Sequence, residues 1–186
     1  MTRMAFRTSP KKLDADGLFD YAVRALERRA LTAFELRRKL KQRAEDQGTV
    51  EPIVERLRGL SYIDDARTAE AYTSTRKDVS LLGRRRVLAD LRRRGVDAKT
   101  AEKTVEDAFA ESDELALIRE HLRRKLGRRV EERTSDQREV TRLYRGLLRA
   151  GFSSGKIGEA LRAVSADAAW IDGVEDELAA SDPTDT

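Results

Sequence analysis

Apolar residues recur along this chain three and four positions apart, and nowhere do they alternate with period two for long enough to make a strand. Phe19, Ala22, Val23 and Leu26 fall on one stripe and predict a helix over 16–30. Thr32 and Glu35 have the spacing of a capping box, which opens a second helix running to about Ala44. Gly48 and Thr49 break and cap, and Pro52 falls in the first turn of a third helix, where a missing amide costs little. A second set of helices is expected at 65–77, 83–94 and 97–110, with Asp97 as N-cap directly after a stop at Gly95. A third set follows at 113–126, 136–150 and 153–164, with Ser153 in the capping role of Asp97. All-α architecture with nine or ten helices is the expectation.

These sets repeat one another. Leu91, Gly95, Val96, Ala101 and Val105 have the same spacing as Leu147, Gly151, Phe152, Ile157 and Leu161. Leu36 and Leu40, with Ile53, Val54 and Leu57, form a looser first copy lengthened by about three residues near Glu45–Gly48. Leu40 precedes Leu91 by 51 residues, and Leu91 precedes Leu147 by 56. Periods of that length built only from helices mean supersecondary units stacked in a row. The expected organisation is an elongated array of three tandem three-helix repeats, helix-turn-helix-like, at 16–63, 64–111 and 112–165. A flexible arm over 1–15 precedes it, and an acidic, partly helical tail over 166–186 follows.

Charge divides the chain further. Of 186 residues 39% are charged and only 5% aromatic, so apolar surface is thinly spread, as suits small helical layers. Net charge is +4, yet no Lys or Arg follows Arg162 while seven acids do, so the body is far more basic than the average. A basic body with an acidic tail fits a protein that meets nucleic acid or a nucleoprotein surface. No cysteine is present, which excludes disulfides, thiolate chemistry and Cys-ligated zinc. With no apolar run of membrane length and no apolar leader, the chain reads as soluble, cytoplasmic and free of membrane contact.

Catalytic chemistry finds little to use. His121 is the only histidine and is expected to be structural; the glycines are dispersed helix stops; Asp64 and Asp65 sit where acids cap a helix. A non-enzyme without cofactor or metal is the expectation. The sharper signal is arginine. In the helix after Gly83, Val87, Leu88 and Leu91 share one side, while Arg85 with Arg92 and Arg86 with Arg93 form two rows on the far side. Arg84 and Arg94 flank the apolar stripe, and Asp90 is the only acid there. Such a helix is matched either to an anionic partner or to acids on neighbouring helices. Smaller clusters are Arg37, Arg38 and Lys39 in the first unit and Arg123, Arg124 and Lys125 in the third. If one face collects all three, they form a ribbon for a phosphate backbone.

Four segments carry a family likeness. Arg29–Leu40 (RALTAFELRRKL), Leu60–Tyr72 (LSYIDDARTAEAY), Gly83–Val96 (GRRRVLADLRRRGV) and Leu147–Phe152 resemble, in order and spacing, the motifs of RecX regulatory proteins over roughly residues 18–164. Thr68 stands where that family usually has an aromatic, and Asp90 replaces its usual glutamate. The resemblance implies three tandem three-helix units acting as a monomer in the groove of the RecA–DNA filament. There such proteins inhibit or modulate RecA recombinase, ATPase and co-protease activities in DNA repair and the SOS response. It points to Arg84–Arg86 and Arg92–Arg94 for contact with filament and DNA. A rival reading is a general DNA-binding protein of tandem helical repeats without a RecA partner; another is a helical adaptor for a different acidic protein. The acidic tail lies outside the likeness; Trp170, Val174 and Leu178 fall on one side of one more helix, and the tail is expected either to fold back on the arginine surface or to solubilise the chain with that Trp-bearing helix docked.

Overall fold

The computed structural model describes residues 11–127, 136–165 and 167–181. Ten α-helices follow one another among them: α1 (Ala15–Arg28), α2 (Ala33–Arg43), α3 (Val50–Gly59), α4 (Asp65–Ser74), α5 (Arg84–Arg93), α6 (Ala98–Phe109), α7 (Glu114–Leu126), α8 (Gln137–Ala150), α9 (Ser154–Val164) and α10 (Ala169–Ser181). Their ends have the expected chemistry. Thr32 and Glu35 close a capping box, Asp97 caps α6, and Asp64 caps α4 through the Arg67 amide. Gly95 and Gly151 end their helices with positive φ, the conformation glycine adopts without strain. The lengthened first unit accommodates its extra residues in a 3-10 turn over Gln47–Thr49. The helix predicted to reach Lys77 departs from α geometry after Ser74 and finishes in a π turn over Thr75–Val79.

Three hydrophobic cores lie in series. The first packs Leu18, Ala22, Leu36, Leu40, Val54, Leu57 and neighbours between α1, α2 and α3. The α1 stripe is rotated from the expected one: Leu18 and Ala22 are fully buried, while Phe19 is only partly so and carries Arg56 over its ring at 4.5 Å. The second core is the thinnest, with only Ala69, Val87, Leu91, Val96, Ala101 and Val105 buried. The third joins α7, α8 and α9 around Tyr144 and Phe152, and α10 adds Ile171 and Val174 to it. So small a middle core stabilises little by itself, and the middle unit depends on its neighbours.

The units meet end to end through their middle helices. Gly83, at the N-terminus of α5, has no side chain to cap with; its amide donates to the Ala150 carbonyl at 2.8 Å, and the Arg85 amide to Gly151. The carbonyl end of α8 thereby caps the amide end of α5, opposite dipole ends in contact. At the other end of α5, the Arg94 carbonyl accepts from the Thr32 hydroxyl at the start of α2. Glycine is needed at both junctions. A Cβ at Gly95 would lie 2.3 Å from Phe34, and one at Gly151 would lie 2.3 Å from the Arg86 backbone nitrogen.

Among the described residues the outer end of α2 faces no further unit. There Leu13 pairs with Ala44, its amide donating to the Arg43 carbonyl and its own carbonyl accepting from the Glu45 amide. Residues 11–15 are therefore tied down, unlike the loose arm expected to reach residue 15; residues 1–10 lie outside the described residues. Ser153 departs from its expected role. It holds the N-cap position of α9, but its hydroxyl and amide both donate to the Glu114 carboxylate, at 2.7 and 2.8 Å. An acid on α7 thus replaces the capping side chain.

Candidate binding surface

α5 presents its arginines because Val87 and Leu91 are fully buried and pin the opposite side to the second core. Arg84, Arg85, Arg86, Arg92 and Arg93 are exposed. Most of their repulsion is compensated by acids, some on neighbouring helices. Asp90, itself buried, takes Arg86 at 3.1 Å, Arg93, and the Tyr72 hydroxyl at 3.0 Å. Arg92 reaches Glu102 on α6 at 2.7 Å. Arg84 and Arg85 differ: among the described residues no acid lies within ion-pairing distance of either.

Arg94 does not join this surface. Its side chain is only 15% exposed and lies against Glu35 on α2, with contacts of 2.9 and 3.2 Å to the carboxylate and a third to the Ala30 carbonyl. Its guanidinium also covers the Tyr72 ring at 4.6 Å. Burial would raise the Glu35 pKa, but hydrogen bonds from Arg94 and the Thr32 amide, with the charges of Arg94 and Arg29, hold it below the ordinary value. Asp65, expected as a cap, reaches across the same junction to accept the Ala33 amide at 2.8 Å. Arg94 is therefore a clasp between the first and second units, because a half-desolvated guanidinium is held where a buried carboxylate needs it.

The other two clusters do not line up as one ribbon. Successive residues on α2 point about 100° apart. Arg37 turns to α3 and grips Glu51 and Glu55, Arg38 rests near the exposed Phe34 ring, and Lys39 turns to α1. On α7, Arg123 and Arg124 both pair with Glu120, and Arg124 donates to the Val79 carbonyl. Lys125 lies beside Gly146 of α8. His121 is half-buried, its Nδ1 3.1 Å from the Leu81 carbonyl and its ring edge-on to Phe152. Burial pushes its pKa down, as suits a neutral packing residue. Among the described residues no group of acids, histidines or cysteines is placed to hold a metal ion, and no helix is long and apolar enough to cross a membrane.

Known proteins share this arrangement. Residues 19–57 match the family model described as RecX, first three-helix domain, and residues 64–105 match RecX, second three-helix domain. The regulatory protein RecX of Deinococcus radiodurans is 34% identical over 161 residues, covering 86% of this chain and 74% of that protein. The chain belongs to the RecX family. RecX of Halorhodospira halophila is likewise 34% identical, covering 82% of this chain and 91% of the relative. A crystal structure of regulatory protein RecX superposes with a TM-score of 0.59 at 26% identity, covering 80% of this chain and 73% of the other. RecX from Lactobacillus salivarius shares the fold with a TM-score of 0.54, covering 89% and 97%. RecX proteins are named as regulators, and this chain is a member of that regulatory family.

One feature of this RecX chain escaped sequence reasoning. The Glu35–Arg94 clasp spans 59 residues, and no local pattern announces it. The only hint was the glycine repeated at the same place in two copies, which marked where another helix end approaches. The tail takes the docked-helix alternative among the described residues: α10 packs on α8 and α9, where Glu177 meets Arg145 and Asp172 meets Arg162, both at 2.7 Å. Of the expected apolar side of that helix, Val174 is buried and Trp170 half-buried, whereas the Leu178 side chain lies outside the described residues.

Proposed function

We propose that this protein is a non-enzymatic regulator that lies along the RecA–DNA filament and restrains RecA, with α5 as its principal contact. The observation that carries the reading is the adjacent pair Arg84 and Arg85, exposed and without an acid partner among the described residues, in the central unit of the array. Two unpaired guanidiniums next to each other suit phosphate or carboxylate, which they grip as planar forks. Arg92 joins them readily, since its pair with Glu102 is exposed and such pairs contribute at most about 1 kcal/mol, while Arg86 and Arg93 flank the surface and share the buried Asp90. Arg38 extends the contact past the α2 junction, and Arg123 and Arg124 supply a second patch. Arg94 and Arg37 are excluded as contacts, because acids within the chain already hold them. A row of weak contacts gains avidity because each later one is intramolecular.

The test is RecA ATPase on single-stranded DNA with the protein added substoichiometrically. Inhibition is expected for the wild type and loss of it for the Arg84→Ala/Arg85→Ala variant, with helical content unchanged. A variant that inhibits as well as wild type would overturn the assignment of α5. Naked DNA bound as tightly as the filament, with a salt slope of about 0.7–0.9 per phosphate contact, would favour the general DNA-binding reading instead.

A further inference from the structure

α1 and α2 enclose an open cleft of about 490 Å³ on the first unit, away from α5. Its walls carry Tyr21, Arg24, Arg28, Arg29, Lys39 and Arg43, and none of the described residues lining it is acidic. Arg24 and Arg28 are one turn apart on α1, and Lys39 and Arg43 are one turn apart on α2, so two like-charged pairs border the same space. Arg24 has a distant exposed partner in Asp20 at 3.9 Å, and Arg29 has Glu35 at 3.5 Å. Arg28, Lys39 and Arg43 have no acid within ion-pairing distance among the described residues. Lys39 and Arg43 are half-buried, and Arg43 covers the Tyr21 ring at 5.3 Å.

Partly desolvating cations side by side without an anion is unfavourable, and among the described residues none pairs with Arg28, Lys39 or Arg43. The wall is also fixed in place. Leu13 lines the cleft and is bonded to both Arg43 and Glu45 backbones, so the cleft exists before anything enters it. The cations converge on a concavity with a volume typical of small-ligand sites, instead of running in rows as on α5. A strand's phosphates are spread along a line; a compact polyphosphate concentrates its charge at a point.

We propose that the α1–α2 cleft binds a compact, multiply charged phosphate, either a nucleoside triphosphate or free polyphosphate. Arg28, Lys39 and Arg43 hold the phosphates, and Tyr21, its ring under the Arg43 guanidinium, lines the same cleft. This site is separate from the α5 surface and is assayed without RecA or DNA, so its failure leaves the regulatory reading standing.

The test is calorimetric titration of the full chain at low ionic strength with ATP and, separately, with tripolyphosphate. Saturable one-to-one binding is expected, weakened roughly tenfold for each cation removed in Arg28→Gln/Lys39→Gln. Lys99→Gln, at an exposed cation on α6 that belongs to neither surface, is expected to bind as wild type does. Tighter binding of ATP assigns the source as a nucleotide, and equal binding assigns bare polyphosphate; both support the site. Should the double variant unfold, Arg28→Glu at an exposed position provides the same comparison. No saturable binding of either probe at millimolar concentration would overturn the proposal, as would equal affinity in the variant. A short single-stranded oligonucleotide that binds more tightly than both, through the same residues, would overturn the small-ligand assignment.

Discussion

Removing the Arg94 side chain should uncouple the first unit from the rest of the array. In Arg94→Ala, Glu35 keeps the Thr32 amide and a 3.5 Å contact with Arg29 but loses two short bonds to a guanidinium that is 15% exposed. Breaking one partner from a buried pair costs about 3–5 kcal/mol; the residual partner and slight exposure reduce that here to about 2–3 kcal/mol. Glu35→Gln should cost less, about 1–2 kcal/mol, because the amide oxygen still accepts from Thr32 and the guanidinium left without its carboxylate keeps the Ala30 carbonyl and the Tyr72 ring. The two changes are not additive if the clasp is real. Urea unfolding followed by circular dichroism should give a coupling energy of about 1–2 kcal/mol across the double-mutant cycle. The Arg94→Ala transition should also broaden or split, since the second core is too thin to keep the units cooperative. Acid sets a further condition. The Glu35 pKa is lowered on folding from its ordinary 4.5, so its contribution is fully present above that pH and is lost as pH falls through the lowered value. The stability gap between wild type and Arg94→Ala should therefore be constant near neutrality and close in acid. Additive changes, with coupling under about 0.3 kcal/mol, would refute the clasp.

The two junction glycines are tested in the same assay. Gly95→Ala and Gly151→Ala both force alanine into positive φ, at about 1–2 kcal/mol. At Gly95 the new Cβ meets Cβ and Cγ of Phe34 at 2.3 Å, the former held by the α2 backbone, and at Gly151 it meets the Arg86 backbone nitrogen at 2.3 Å; both changes should cost clearly more than the positive φ alone, and a loss confined to about 1–2 kcal/mol at either would contradict the end-to-end packing. For the tail, Asp172→Asn/Glu177→Gln should tighten DNA binding at low salt and steepen its salt dependence by roughly one to two units of slope, because Arg145 and Arg162 lose acidic competitors. Thermal stability should change little, as these pairs are exposed; DNA affinity equal to wild type would show that α10 masks nothing.

Local rules were enough to read much of this molecule. Helices of period 3.6, stop glycines and capping acids act within a few residues, so the all-α character and repeat of units were legible from Thr32–Glu35, Gly95–Asp97 and the Leu91 and Leu147 copies. The density of arginine on α5 was equally plain. Which of those arginines are available was not, because that depends on acids brought from elsewhere in the chain. Arg94 and Glu35 stand 59 residues apart and meet only because the carbonyl end of α5 abuts the amide end of α2. Arg92 resembles Arg84 and Arg85 in sequence, yet packing brings Glu102 of α6 to Arg92 and leaves the other two without an acid among the described residues. Lys39 and Arg43 likewise belong to a row of basic residues on α2, and only the approach of α1 turns them into a cleft. Sequence alone determined where helices form and which faces are charged, since both follow from neighbours along the chain. Tertiary structure decided which charges are already satisfied, since ion pairing depends on distance in space.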